Sequence, residues 1–224
     1  MLKKSFRVGL IALLFISVLP AFAFSSSDWN PATYQRWGEE TSALIEQDFR
    51  IRSYDGYYED HTHIAWAYAW PNSINLLAMA SAAKLNPHMY VDRIYNYIEQ
   101  LNIHWTYVNG RYGYDAVGNP SMTNRFYDDN AWKAWALLDS YLVTNDPYHL
   151  QKAIDTYNFA ISGEDNVRGG GIYWKETQYP GDPEPMKANS ATAGTALAAA
   201  KLYAITGDTD YLDDAVRLLD WLWD

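Results

Sequence analysis

Residues 134–161, "AWALLDSYLVTNDPYHLQKAIDTYNFAI", spell out a helical hairpin. Apolar residues recur at helical spacing on both sides of a polar turn, with Ile154, Tyr157, Ala160 and Ile161 forming one stripe in the second half. The turn carries Asn, Asp and Pro, residues that end one helix and begin the next. The same plan stands at 74–101, "INLLAMASAAKLNPHMYVDRIYNYIEQL", with Val91, Ile94, Tyr95 and Ile98 as its stripe. It returns at 196–223, "ALAAAKLYAITGDTDYLDDAVRLLDWLW". Tyr90, Tyr148 and Tyr211 mark equivalent points, a period of about 60 residues. An earlier helix, roughly 32–50, completes the series, and no strand pattern is convincing.

The connections alternate in length. Short turns ("KLNPH", "VTNDPY", "ITGDTD") join antiparallel neighbours. The returns at about 50–70, 103–127 and 162–187 are long and rich in Gly, Asn and aromatics. Hairpins packed side by side must put all long loops at one end, where function usually sits. The helices after the long loops then run parallel, with their N-termini on that rim. The third is rich in Ala, Gly and Ser, as a crowded inner layer requires. The expected fold is all-α: an α/α toroid of helical hairpins, with an open α-solenoid as the other solution.

Composition narrows the partners. "MLKKSFRVGLIALLFISVLPAFA" has the charged start, apolar run and Ala-Phe-Ala site of a secretory signal, placing the boundaries at 1–23 and 24–224. Its apolar core is short for a membrane span, so the protein is expected to be secreted, extracellular or periplasmic, with no membrane partner after signal removal. There is no cysteine, hence no disulfide, thiol nucleophile or cysteine-linked lipid. The net charge of −10 argues against nucleic acid and anionic membranes. Ten Trp and nineteen Tyr suit stacking on pyranose rings and equally suit a core built on large rings.

"NRFYDDNAWKAW", 124–135, places Asp128 and Asp129 at a helix start on the rim. Acids there interact well with the helix dipole, which explains one or both without any chemistry. The other reading is a carboxylate pair doing acid/base and nucleophilic work on a sugar. Tyr127, Tyr173 and Trp174 can be stacking platforms or loop-core packing. Gly169–Gly171 permits close backbone approach or simply a turn. Lys187 and Asn189 can bind hydroxyls, although Asn189 or Ser190 also reads as an N-cap. Trp70 and Asn72 occupy in the first copy the places of Asp128 and Asn130 in the second, so Asn130 joins these substrate-binding candidates. "HTHIAW" offers His61 and His63 without a third ligand, so no metal is expected. With no phosphate loop or dinucleotide glycine pattern, no cofactor is expected either.

"FYDDNAW", then "GGGIYWKE", then "KANSATAGTALAAAKLYAITGDTDYLDDAVRLLDWLW" resemble glycoside hydrolase family 76, the endo-α-1,6-mannanases. The resemblance implies an (α/α)6 barrel, a retaining mechanism and an α-mannan poly- or oligosaccharide substrate. It also implies that Asp128 is the nucleophile and Asp129 the acid/base. A six-hairpin barrel is about twice what this chain supplies, so roughly half of the ring is expected here, as an N-terminal fragment. The residues alone leave a transglycosylase or a non-catalytic glycan-binding protein open.

Overall fold

The computed structural model describes residues 30–54, 56–119, 123–177 and 185–224; the expected signal at 1–23 lies outside them. The chain divides into two units, Met1–Thr41 and Ser42–Asp224. The described part of the first unit is the opening of α1 (Pro31–Asp48), where Asn30 accepts a hydrogen bond from the Ala32 N–H at the helix start.

The second unit holds three helical hairpins: α2 (Ala69–Ala83) with α3 (Pro87–Gln100), α4 (Tyr127–Thr144) with α5 (Pro147–Ile161), and α6 (Asn189–Thr206) with α7 (Thr209–Trp223). Among the described residues no helix is long and apolar enough to cross a membrane. Helix α4 packs between α2 and α6, giving an inner layer, while α3, α5 and α7 lie against their own partners outside. The sequence sets that closeness. Ala80, Ala131, Ala134, Ala198 and Ala199 are fully buried, and a Cβ on Gly194 would stand 3.0 Å from that of Ala131. The architecture is all-α and of the toroid type, about half of an (α/α)6 ring.

The hairpin turns follow from local chemistry. Asn145 and Gly207 end α4 and α6 in the left-handed region, at φ 53° and 75°. Asp146 and Asp208 then cap α5 and α7 by accepting from the N–H groups of Tyr148 and Asp210.

The long returns interlace at one end. Ala69 N–H donates to Ala116 O (2.9 Å), Tyr127 N–H to Trp174 O (2.9 Å), and Phe126 bridges Lys175. The strand expectation needs correction. Arg50–Ile51 (β1) pairs with Gly56–Tyr57 (β2), and Trp105–Val108 (β3) with Arg111–Tyr114 (β4), both antiparallel. Asn109 and Gly110 make the second turn at φ 53° and 78°, the Asn-Gly pattern of a tight hairpin. Trp105, Tyr107, Tyr112 and Tyr114 alternate around it, a signal short enough to be lost among longer helical stripes. This hairpin packs on α5 and delivers Tyr114 and Asp115 to the N-terminus of α4.

Candidate active site

Each inner helix is tied to its incoming loop by its fourth residue. Asn130 donates to Phe126 O (2.8 Å) and Tyr114 O (2.9 Å) and accepts from Tyr114 N–H (2.7 Å). Asn72 does the same in α2, donating to Tyr68 O and Ala67 O (2.9 Å each) and accepting from Tyr97 O–H. In α6 the place falls to Thr192, which donates to Ala188 O and accepts from Ile172 N–H (2.9 Å each). Asn72 and Asn130 are buried, with their amides committed to these partners. Their geometry makes them clamps that orient the rim rather than the sugar contacts expected from sequence.

Asp128 and Asp129, the second and third residues of α4, are thereby held at the rim in partly buried positions. Their surroundings differ. The Asp128 carboxylate accepts from Asp129 N–H (2.9 Å) and from Ser190 O–H (3.2 Å), which stands at the matching place in α6. Burial raises its proton affinity, while those two donors and the Trp174 side chain oppose the rise. Among the described residues Asp129 receives no such donor. Burial, reinforced by the Asp128 charge and less strongly by Asp115, pushes it up to about 7, with Lys133 pulling against them. Both carboxyls are thus raised, Asp129 the further, and the donors on Asp128 set the two neighbours apart.

Three further residues build this site and carried no recognisable sequence signal. Asp115 is fully buried and accepts from Val117 N–H (3.1 Å) and Asn124 N–H (2.5 Å), fixing Asn124 on the approach to α4. Arg125 is also fully buried; it forks onto Glu176 (2.7 and 2.8 Å) and donates to Arg111 O and Val108 O. It also lies over the Phe159 ring at 4.5 Å, so one guanidinium rivets both long loops and α5 together. Lys133 sits one turn inside α4 from Asp129, fully buried.

The remaining candidates separate into inner and outer positions. Tyr127 is buried and stacks on Phe159 at 4.9 Å, so its ring is core rather than platform. Lys187 ion-pairs with Asp165 (2.7 Å), donates to Gly171 O (2.8 Å) and lies over the Tyr173 ring at 3.8 Å. Tyr173 in turn donates to Asp165 (3.1 Å), and the set braces the loop instead of presenting free donors. The N-cap of α6 is Ala188, without a side-chain cap bond. Asn189 is therefore an exposed first helical residue and not the cap, and Ser190 faces Asp128. Trp174 is 38% exposed beside Asp128, and Trp70 is 51% exposed at the start of α2, both with ring surface available at the rim. Trp70 also lines a groove of ≈ 360 Å³ between α1 and α2, separate from the carboxylates. His63 stacks on Tyr58, and among the described residues no three His, Cys, Asp or Glu are grouped to hold a metal.

The α/α half-toroid thus places a carboxylate pair at the N-terminus of an inner helix. The chain belongs to glycosyl hydrolase family 76, whose family model matches residues 39–224. Among solved structures it is similar to a family 76 α-mannanase of Bacteroides thetaiotaomicron, with 35% identity and TM-score 0.79 over 84% of this chain and 52% of that one. A second family 76 mannosidase of that organism gives 22% identity and TM-score 0.74, covering 85% and 53%. An α-1,6-mannanase of Salegentibacter sp. gives 22% and 0.69, covering 84% and 51%. The chain thus spans about half the length of these structures. No curated protein matches it.

Proposed function

We propose that the chain supplies the amino-terminal part of a secreted, retaining endo-α-1,6-mannanase, with Asp128 as nucleophile and Asp129 as acid/base. The observation that carries the role assignment is the unequal hydrogen bonding of the pair. Donors on Asp128 favour the carboxylate that attacks the anomeric carbon; Asp129, without them and beside a negative charge, holds the proton that the leaving oxygen needs. Trp70 and Trp174 offer ring faces at the rim for a pyranose, and Ser190 keeps Asp128 oriented. The linkage rests on the relatives. In the Salegentibacter enzyme, a variant with two consecutive aspartates changed to asparagine is inactive and was captured with α-1,6-mannotriose. Export rests on the charged and apolar start ending at Ala21-Phe22-Ala23.

The test uses the protein carrying the complete family domain and a mannoside whose leaving group needs no proton. Asp129→Asn should accumulate glycosyl-enzyme, seen as added mass, whereas Asp128→Asn should stay unlabelled. The reverse pattern exchanges the roles. Wild-type mannan hydrolysis by both variants would reduce the pair to a helix start, and mannan affinity without any turnover would make the protein a glycan binder. Product transferred to a sugar rather than water would make it a transglycosylase. The same spectra read the export proposal, because the secreted protein should begin at Phe24.

A further inference from the structure

Helix α4 carries a charge that the two-carboxylate chemistry does not itself require. Lys133 follows Asp129 by four residues, which places it on the same helix face one turn deeper. Its side chain is fully buried, and its ammonium finds no hydrogen-bond acceptor among the described residues. What it meets is the Tyr114 ring, 5.3 Å from Nζ to centroid. An ammonium so placed is costly, and an aliphatic side chain would fill the same space without that cost.

The charges around it are few. On α4 itself there are Asp128 and Asp129; the β4–α4 connection brings Asp115, and the turn before β3 brings His104. Helix α5 brings Lys152, which donates to Asn102 and lies 4.2 Å from the Trp105 centroid, with His149 beyond it. Glu99 at the end of α3 acts on Lys152 rather than on Lys133 directly. Helix α2 has no ionisable side chain, and Lys201 of α6 is bound to Asp139, ten residues further along α4 than Asp129. Asp129 is therefore the acid whose charge acts on Lys133.

We propose that Lys133 is a positioning residue that compensates the carboxylate formed on Asp129 when it gives up its proton. The proposal rests on the assignment of Asp128 and Asp129 given above. In that step the Asp128 carboxylate forms a bond to the anomeric carbon, the glycosidic C–O bond breaks, and the Asp129 proton goes to the leaving oxygen. One negative charge thereby passes from Asp128 to Asp129. An ammonium one turn behind Asp129 attracts the second arrangement more than the first. Burial holds Lys133 down at about 7, with the Asp129 charge raising it, so the two groups titrate as a coupled pair.

The test needs no turnover. In this 224-residue chain, carbon-13-labelled aspartate reports the Asp129 carboxyl, identified by its loss in Asp129→Asn. Lys133→Met should raise the Asp129 midpoint by about one pH unit, and Lys133→Arg should leave it near the wild-type value. A merely structural lysine would leave the midpoint unmoved in both, and that result overturns the proposal. If Lys133→Met does not fold, lysine labelled at Cε is followed instead in Asp129→Asn, where the Lys133 midpoint should fall by a similar amount; no movement there is equally decisive. Hydrolysis of mannan by Asp129→Asn in the complete domain separates the two levels. Retained activity removes the acid assignment, whereas lost activity with an unmoved titration removes only the role of Lys133.

Discussion

Asn130 shows how much of the site hangs on one uncharged amide. It satisfies both the N–H and the carbonyl of Tyr114 in the interior, and donates to the half-buried carbonyl of Phe126. Asn130→Ala would leave the Tyr114 N–H and carbonyl without that partner, at a cost of about 2–4 kcal/mol, while Phe126 O keeps the backbone N–H of residue 130. The expected result is a lower denaturant midpoint, with the α4 N-terminus losing amide-exchange protection first. An unchanged midpoint would mean that solvent replaces the clamp at no cost. From sequence, Asn130 and Asn72 were grouped with the sugar contacts. Repeat equivalence placed them correctly on the rim, but an amide near a rim serves backbone or ligand equally well. Which it serves depends on Tyr114, sixteen residues away, and on Tyr97, twenty-five residues away.

At the scale of elements, the loop from 162 to 187 is held by glycines with different duties. Gly169 and Gly171 both have left-handed φ, 77° and 75°. Around Gly169 an added Cβ meets nothing within 4 Å, whereas at Gly171 it would stand 2.7 Å from the Trp221 ring. That ring cannot swing away freely, because its N–H donates to Arg168 O at 3.0 Å. Gly169→Ala should therefore cost only the backbone strain, about 1–2 kcal/mol. Gly171→Ala adds overpacking of about 1–3 kcal/mol to the same strain. Gly171 O also accepts from Lys187, so the second variant should loosen the Lys187–Asp165–Tyr173 brace as well. Thermal unfolding of the two variants side by side reads the difference; equal losses would sink the packing argument. The run "GGG" announced a turn, but not which glycine was pressed against α7.

For the molecule as a whole, the apolar surface left at the edge of the half-ring matters most. Leu212, Val216, Leu219 and Trp223 form one exposed stripe along α7, with Trp223 89% exposed. Trp70 and Ile74 are exposed on α2. A stripe at helical spacing ordinarily faces another element, and contiguous apolar surface of this kind drives association. This chain on its own should bind an apolar dye and associate as its concentration rises. Val216→Lys combined with Leu219→Lys should suppress both while leaving the unfolding midpoint little changed, since neither side chain is buried. A monomeric wild-type chain that leaves the dye dark would show that the stripe is tolerated.

The hairpins, their period, the layer order and the placement of Asp128 and Asp129 at a helix start were all legible in the residues. Helices are closed by bonds between residues four apart and their buried faces recur every few positions, so both leave a local signature. The β3–β4 hairpin was missed: Asn109-Gly110 with alternating aromatics is a short signal among the helical stripes around it. The different proton affinities of the two aspartates were decided only by the tertiary structure. They depend on Ser190, sixty-two residues from Asp128, on Asp115 and Lys133, and on how deeply the rim is buried. The burial of Tyr127 and the commitment of Lys187 to Asp165 are of the same kind. An electrostatic environment is the sum of what stands within a few ångströms, and only the folded chain determines which residues those are.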